Sequence, residues 1–401
     1  MLLGDGPGGP LVGHRVAITG LGVLACCGTG VEAFWSGLLQ PWPGGERRVS
    51  DFDPADWFGP KEARRVDRFA QFSVAAADMA LADAGTPEAD PARCGVIFAT
   101  GIGGLESLET QVRVYESKGP RRVSPFLIPM MMPNAGAGNI SIRNRWHGPC
   151  ETVTTACAAG THAILAAARL VASGRCDVVI GGGAEAAMTG LGIAAFTNMT
   201  ALSADGMSRP FDARRNGFVI AEGAGAIVLE RLDHAHARGA HIYAEVLGGA
   251  STADAHHITA PAPGGQGAAS CIELALADAD LSPGDIGHIN AHGTSTPLND
   301  LAEGQAIAKI FGHRGPPVTS TKGVTGHTLG GAGAIEAVAS ALTIDRRLIP
   351  PTAGYGEPDP ELDLDIVAGE PRSFEPAPVL SNSFGFGGHN GCLIFGPPPS
   401  A

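Results

Sequence analysis

Aromatic side chains make up only 5% of the 401 residues, and charged ones only 17%. With so few rings, the core has to pack on Ala, Val, Leu and Ile. So little charge excludes a self-repelling, disordered chain, and a 44% hydrophobic content supplies a large core. No apolar run reaches the ~18–20 residues that span a bilayer, so no membrane segment is expected. The opening MLLGDGPGGP has neither a basic n-region nor an apolar h-region, so no secretory signal is read there. Basic residues are in deficit, 27 against 40 acidic ones, for a net charge of −13. That argues against a dedicated nucleic-acid binder, which needs a basic surface to neutralise phosphates, while leaving room for a local basic patch. The 8 cysteines lack framework spacing, and several sit in apolar runs such as RCDVVIGGG. They read as reduced, mostly buried thiols of a cytoplasmic protein.

What the chain has in quantity is glycine (58) and proline (30), which together stay just under a low-complexity composition. Its length fits two domains or one large duplicated unit. Residues 1–12 read as a floppy leader. HRVAIT (14–19) reads as a buried strand, VEAFWSGLL (31–39) as a helix, and 40–60 as a surface excursion. A helix is expected from Asp67 to Ala84, stopped by Gly85. Strand signals recur at 94–100, 151–156, 176–183 and 224–230, with a helix at 158–174 between them. The second half repeats the rhythm: strands at 242–251, 286–293 and 317–322, helices at 267–281, 299–312 and 330–344, and a closing hairpin at 376–395. Alternating strands and helices imply an α/β protein with mostly parallel, buried strands. VTTACAAGTHAILAAA and VTSTKGVTGHTLGGAGA share a strand–polar loop–small-residue helix shape, which points weakly to an internal duplication.

Two patterns are decoys. GLGVLA, from Gly20 to Ala25, fits G-x-G-x-x-A, but the acid expected ~20 residues on is missing, so it reads as a plain tight turn. The His234/His236 and His256/His257 pairs lack the Cys or carboxylate spacing of a zinc site and read as surface residues; no metal is expected.

Three segments carry reactive residues through apolar or Gly-rich sequence. In TTACAAG, Cys157 falls where a strand runs into a helix. The positive helix end and nearby N–H groups there favour a thiolate, although a small buried hydrophobe has the same signature. NAHGTSTP places His292, and STKGVTGH places Lys322 and His327, each just past a strand end. In α/β sheets those ends gather at the site. NSFGFGGHN (382–390) adds glycines that let backbone N–H groups point at an oxyanion.

TACAAGTHA, NAHGTSTP, STKGVTGH and NSFGFGGHN together resemble the elongating β-ketoacyl-acyl-carrier-protein synthases, condensing enzymes with a thiolase-like fold. The resemblance runs from about residue 14 to residue 397. It implies an α/β fold of two duplicated halves (13–240 and 241–398), each with a mostly parallel five-stranded sheet sandwiched by helices. It implies that Cys157 takes the acyl chain, and that His292 and His327 promote malonyl decarboxylation. Lys322 would support the second imidazole. Phe386 would be the gating aromatic, its N–H and that of Cys157 forming the oxyanion hole. Thr294 and Thr296 would bind the phosphopantetheine arm, with Phe384 at the substrate and Leu108 limiting acyl-pocket depth. Asp254, Asp300 and Glu303 would be buried structural acids.

The same resemblance implies an acyl-carrier protein as partner, acyl and malonyl thioesters as substrates, and a homodimer. No diffusible cofactor is implied, because phosphopantetheine arrives on the carrier. An acidic chain meeting an acidic carrier needs a basic patch. Lys61, Arg64, Arg65 and Arg68 form one cluster, and Arg121 and Arg122 another. The bland alternative is a solvated charge run. The 203–210 loop, Cys26, Cys27 and His389 depart from the family pattern. A biosynthetic thiolase is disfavoured because Cys392 lies inside strand-like CLIF. An initiating synthase is disfavoured by His327, a non-catalytic partner by Cys157, and a dehydrogenase rests on the Gly20–Ala25 stretch alone. The expected reaction is condensation in fatty-acid elongation, with a specialised polyketide-like pathway as the alternative.

Overall fold

The computed structural model describes residue 11, residues 13–42 and residues 44–398, so most of the expected leader lies outside the described residues. Among the described residues, fourteen strands occur in chain order. They are β1 Val16–Ala25, β2 Gly28–Thr29, β3 Cys94–Ala99, β4 Cys150–Glu151, β5 Val178–Glu185, β6 Gly223–Arg231 and β7 Ala244–Ala253, then β8 His288–Asn290, β9 Arg314–Thr319, β10 Leu348–Ile349, β11 Leu364–Ile366, β12 Arg372–Ser373, β13 Val379–Gly385 and β14 His389–Gly396. Twelve join one sheet in the order β11-β9-β8-β13-β14-β7-β1-β6-β5-β3-β4, with β2 hanging from β1.

The order contains a repeat. Outward from the middle, β1-β6-β5-β3-β4 and β7-β14-β13-β8-β9 run through the same ladder: two antiparallel pairings, then two parallel ones. The two sets meet only where β1 crosses β7, over Val16–Ile18. This is the thiolase-like α/β architecture of two similar halves.

Helices make three layers around the two halves of this sheet. Arg68–Asp83 covers the outer face of the first half, where Phe69, Phe72 and Leu81 pack on Val96, Phe98 and Ile180. Gln266–Asp278 and Pro297–Phe311 lie on the outer side of the second. Between the halves lie Ala159–Ala172 and Ala332–Arg346, whose side chains share one core with residues of β1, β5, β6, β13 and β14. The second of these helices is buried from Ala332 through Ile344. Apart from Glu336, AGAIEAVASALTI is apolar or small-sided all round, and such a helix has no face to offer water and must sit in the interior. The first turns of the two helices touch: a Cβ on Gly160 would lie 2.6 Å from the Ala334 nitrogen.

The expected helix at 67–84 is found almost residue for residue, with the Asp67 carboxylate accepting the Phe69 N–H as N-cap. Two expectations fail. The stretch Gly20–Ala25 is neither a turn nor a phosphate loop: it continues β1 without a break. Its glycines serve close packing instead. A Cβ on Gly22 would lie 2.0 Å from the carbonyl oxygen of Ala76 in the helix laid across it. The strand expected at 151–156 leaves the ladder after Glu151, because the chain turns there toward the first central helix. Among the described residues, no helix is long and apolar enough to cross a membrane.

A Gly22→Val substitution should therefore destabilise the protein by about 3 kcal/mol, the upper range for overpacking a core. Urea unfolding followed by circular dichroism measures it. A loss under about 1 kcal/mol would mean that strand and helix separate freely.

Candidate active site

The reactive residues gather at one end of the central helix pair. After β4, the chain makes a 3-10 turn at Ala156–Ala158 and enters the Ala159–Ala172 helix. Ala156 is held at φ +50°, a left-handed conformation that a residue with a Cβ rarely adopts. The turn presents the Cys157 thiol to a cavity of about 530 Å³. The backbone N–H of Phe386, at the tip of the β13–β14 hairpin, lies near enough to the Cys157 sulfur to favour its thiolate form.

The helix-end argument anticipated a stabilised thiolate at Cys157. Burial outweighs it. Removal from water pushes the thiol up to about 12, against the opposing pull of the Lys322 charge and the Phe386 N–H. The resting group is therefore a thiol. The ring of His327 stands ready beside it, with Nε2 3.0 Å from Sγ.

His327 is fixed by its main chain. Its N–H donates to Val219 O (2.8 Å) and its carbonyl accepts from Ala221 N–H (3.0 Å). The Phe218 ring stands edge-on to the imidazole, with centroids 5.2 Å apart. His292 follows β8 and meets His327 at a centroid distance of 5.3 Å. The carboxylate of Glu303 holds the His292 loop by accepting the N–H groups of His292 and Gly293, both at 2.8 Å. Burial, aided by the Lys322 charge, depresses both imidazoles well below their ordinary value, so both are neutral at neutral pH.

Lys322 does not sit where the resemblance put it. Its ammonium donates to the carbonyl of His292 (2.6 Å) and lies 3.4 Å from that ring's Nδ1, so it supports the first imidazole. Its countercharge is Glu336, a buried acid on the second central helix. The lysine beside Nδ1 leaves the hydrogen of neutral His292 on Nε2.

Cys157 Sγ and one nitrogen from each imidazole all lie within 4.8 Å of one another. This thiol and two imidazoles are also the donor set that a soft transition ion would choose, but the Lys322 ammonium against His292 opposes a cation there.

The remaining expected residues divide. Thr294, Thr296 and Phe384 line the cavity, with the two hydroxyls 2.9 Å apart and Thr296 capping the Pro297–Phe311 helix. Asp300 is buried and accepts the N–H of Phe211 and Ser295. Asp254 is half-buried rather than buried: it lines the cavity and binds Asn390 Nδ2 at 2.7 Å. Leu108 does not line the cavity, because the turn before the Leu105–Lys118 helix presents Ile102 instead. Among the basic residues, Lys61, Arg64, Arg65, Arg121 and Arg122 are exposed. Arg68 is not free for a partner: it makes a two-pronged ion pair with buried Glu222 and stacks on Phe72.

Sequence reasoning missed Phe196, Phe218, Met199 and Leu329, which with Ile102 form the apolar side of the cavity. It also missed Glu185, whose carboxylate accepts from Gly101 N–H (2.8 Å), Thr100 Oγ1 (3.0 Å) and Gly330 N–H (3.2 Å). A lone acid in the run GGGAEAAM was the available signal. Burial raises Glu185 to about 7.

Comparison with known proteins follows this geometry. Residues 40–235 match the family model "Beta-ketoacyl synthase, N-terminal domain", and residues 243–356 match "Beta-ketoacyl synthase, C-terminal domain". The chain is 46% identical to 3-oxoacyl-[acyl-carrier-protein] synthase 2 of Synechocystis sp., over 95% of this chain and 97% of that protein. Among solved structures it resembles the ishigamide ketosynthase/chain length factor, with a TM-score of 0.90 and 35% identity over 96% of this chain and 100% of that one. It also resembles a type II polyketide synthase complex of acyl-carrier protein with its ketosynthase, with a TM-score of 0.88 and 32% identity over 96% and 100% of the two chains.

The raised thiol sets a measurable pH dependence. Alkylation of Cys157 by iodoacetamide should quicken about tenfold per pH unit from ~7 to ~9, since only the thiolate reacts and the thiol pKa lies far above. A plateau near pH 7 would show a thiolate already formed.

Proposed function

The chain belongs to the β-ketoacyl synthase family, and from that premise we propose that it condenses an acyl group held on Cys157 with malonyl-acyl-carrier protein. The products are 3-ketoacyl-carrier protein and carbon dioxide. The observation that carries this reading is the meeting of a thiol with two neutral imidazoles at the floor of one cavity. In it, the half 13–240 supplies the nucleophile and the half 241–398 supplies the two imidazoles.

The first step is transfer. Cys157 sulfur, giving its proton to His327 Nε2 at 3.0 Å, attacks the acyl thioester carbonyl. The negative oxygen is met by the N–H groups of Cys157 and Phe386. Collapse expels the phosphopantetheine thiolate, which takes the proton back. Malonyl thioester then enters and loses carbon dioxide. The electron pair of the broken carbon–carbon bond moves into an enolate, whose oxygen accepts from the Nε2–H of His292 and from His327, whose ring hydrogen, on the otherwise unpartnered Nδ1 while Nε2 takes the thiol proton, has by then moved to Nε2. Neutral imidazoles suit this task because they donate without surrendering a proton to a carbanion. The enolate carbon attacks the acyl carbonyl, the same pair of N–H groups meets the oxyanion, and Cys157 leaves as a thiolate that takes a proton from solvent water.

No diffusible cofactor enters these steps; the phosphopantetheine arm comes with its carrier. Thr294 and Thr296 would meet that arm, and Phe386 with Phe384 would border its path. Fatty-acid elongation is the favoured pathway, supported by the 46% identity to a 3-oxoacyl-carrier-protein synthase 2. A specialised polyketide-like route is the second reading, supported by the likeness to polyketide ketosynthases. We place the protein in the cytoplasm, consistent with 8 cysteines that are all free. A homodimer fits the edge of the sheet at β4 and the exposed Tyr115, Ile128 and Ile142 on helices beside it.

For the carrier, the exposed clusters 61–65 and 121–122 are the docking residues, and the Arg65 guanidinium lies over the ring of Phe126, four residues beyond Arg122, at 4.4 Å. Arg68 is left out of this surface.

Intact-protein mass spectrometry tests the reaction: mixing with acyl-carrier proteins of graded length should load one acyl mass on Cys157. That mass should disappear as 3-ketoacyl product forms on adding malonyl-carrier protein. No acyl loading from any carrier would refute the proposal. The Arg64→Glu/Arg65→Glu variant should raise KM for acyl-carrier protein about tenfold at low salt with little change in kcat. A carrier-free acyl-pantetheine substrate should be unaffected, and an equal loss with both substrates would place the effect inside the site.

A further inference from the structure

The oxyanion hole of the proposed reaction is assembled from two separate pieces of chain. One N–H belongs to Cys157 on the strained 156–158 turn, and the other to Phe386 at the hairpin tip. Sequence separation gives neither piece any hold on the other, so some contact must set their spacing. Hydrogen-bond catalysis of this kind is sensitive to displacement: losing one donor costs ~10²–10³ in rate.

His162 makes that contact. It lies one turn into the Ala159–Ala172 helix, half-buried and away from the reacting atoms. Its Nδ1 is 2.8 Å from the hydroxyl of Thr155, the residue before strained Ala156. Its Nε2 is 3.0 Å from the carbonyl of Asn390, which pairs with Phe384 in the last rungs before the hairpin tip. A carbonyl can only accept, so Nε2 carries the hydrogen and Nδ1 accepts the Thr155 O–H. Burial and the nearby His389 and Arg169 disfavour a second proton on this ring, which keeps that tautomer. The ring packs against β14, where a Cβ on Gly391 would come within 2.9 Å of Nε2. Beside it, Thr161 and Ser383 add a second cross-link, their hydroxyls 2.7 Å apart.

We infer that His162 is a positioning residue that fixes the Cys157 turn and the Phe386 hairpin at the spacing the oxyanion hole requires. The inference rests on the condensing reaction proposed above. It separates the two half-reactions. Acyl transfer to Cys157 uses the two N–H groups, so it depends on His162. Decarboxylation of malonyl thioester uses His292 and His327, which are held by Glu303 and by the 219–221 segment, so it does not.

The test measures both half-reactions in the full-length protein. Rapid-quench mass spectrometry follows acyl loading from acyl-carrier protein without malonyl substrate. Carbon dioxide release from malonyl-carrier protein is followed without an acyl donor. His162→Ala should slow acyl loading ~100-fold at unchanged KM, while carbon dioxide release stays within ~3-fold of wild type. His162→Gln, whose amide can donate to Asn390 and accept from Thr155, should recover most of the loss. Thr155→Val, which keeps the histidine and removes only the hydroxyl, should slow loading ~10-fold and serves if the alanine variant fails to fold. Equal loss in both half-reactions, loading within ~3-fold of wild type in both His162→Ala and Thr155→Val, or no recovery with glutamine overturns the inference. Wild-type protein that loads no acyl group would instead overturn the condensing reaction itself, and this inference with it.

Discussion

Two helices buried back to back between the two halves of the sheet set everything else in this structure. Their first turns meet at backbone distance, since a Cβ on Gly333 would lie 2.7 Å from the nitrogen of Thr161. Because both helices begin at the same end of the molecule, the segments that lead into them are forced together. One of those segments carries Cys157, and the other carries Lys322 and His327. Two positive helix ends then face one cavity, a setting suited to reactions that build negative charge on oxygen.

A second consequence follows from burying this junction so deeply. Charge can survive there only in pairs or fully hydrogen-bonded. Lys322 is answered by Glu336, and Glu303 by two backbone N–H groups at 2.8 Å. The imidazoles, which have no such partner charge, stay neutral, and the thiol keeps its proton. Burial thus sets the protonation state of every reacting group. The polar contacts around them set direction: which nitrogen of His292 carries hydrogen.

Several elements were legible because local chemistry decides them. The Asp67 cap and the Gly85 stop bound the Arg68–Asp83 helix, and the small-residue run at 330–344 reads as the helix found at Ala332–Arg346. Other features depend on what lies across the fold. The glycines of β1 imitate a phosphate loop in sequence, and only the helix laid over them shows that they are there for close approach. Arg68 reads as a surface charge beside Arg64 and Arg65 until the far strand residue Glu222 is seen to hold it. Ile102 rather than Leu108 borders the acyl side of the cavity because a turn, invisible to periodicity, intervenes before the helix starts.

The sequence by itself determined the alternating strand–helix rhythm, the four motifs that carry the chemistry, and the kind of groups a thioester condensation needs. These are properties of residue type and local spacing, set by rotamer, cap and hydrophobic period. The tertiary structure alone decided which imidazole Lys322 supports, that burial defeats the helix end in setting the Cys157 thiol, and that His162 spans two segments more than two hundred residues apart. Each of those depends on distances and desolvation between parts of the chain that only packing brings together, and no local pattern encodes them.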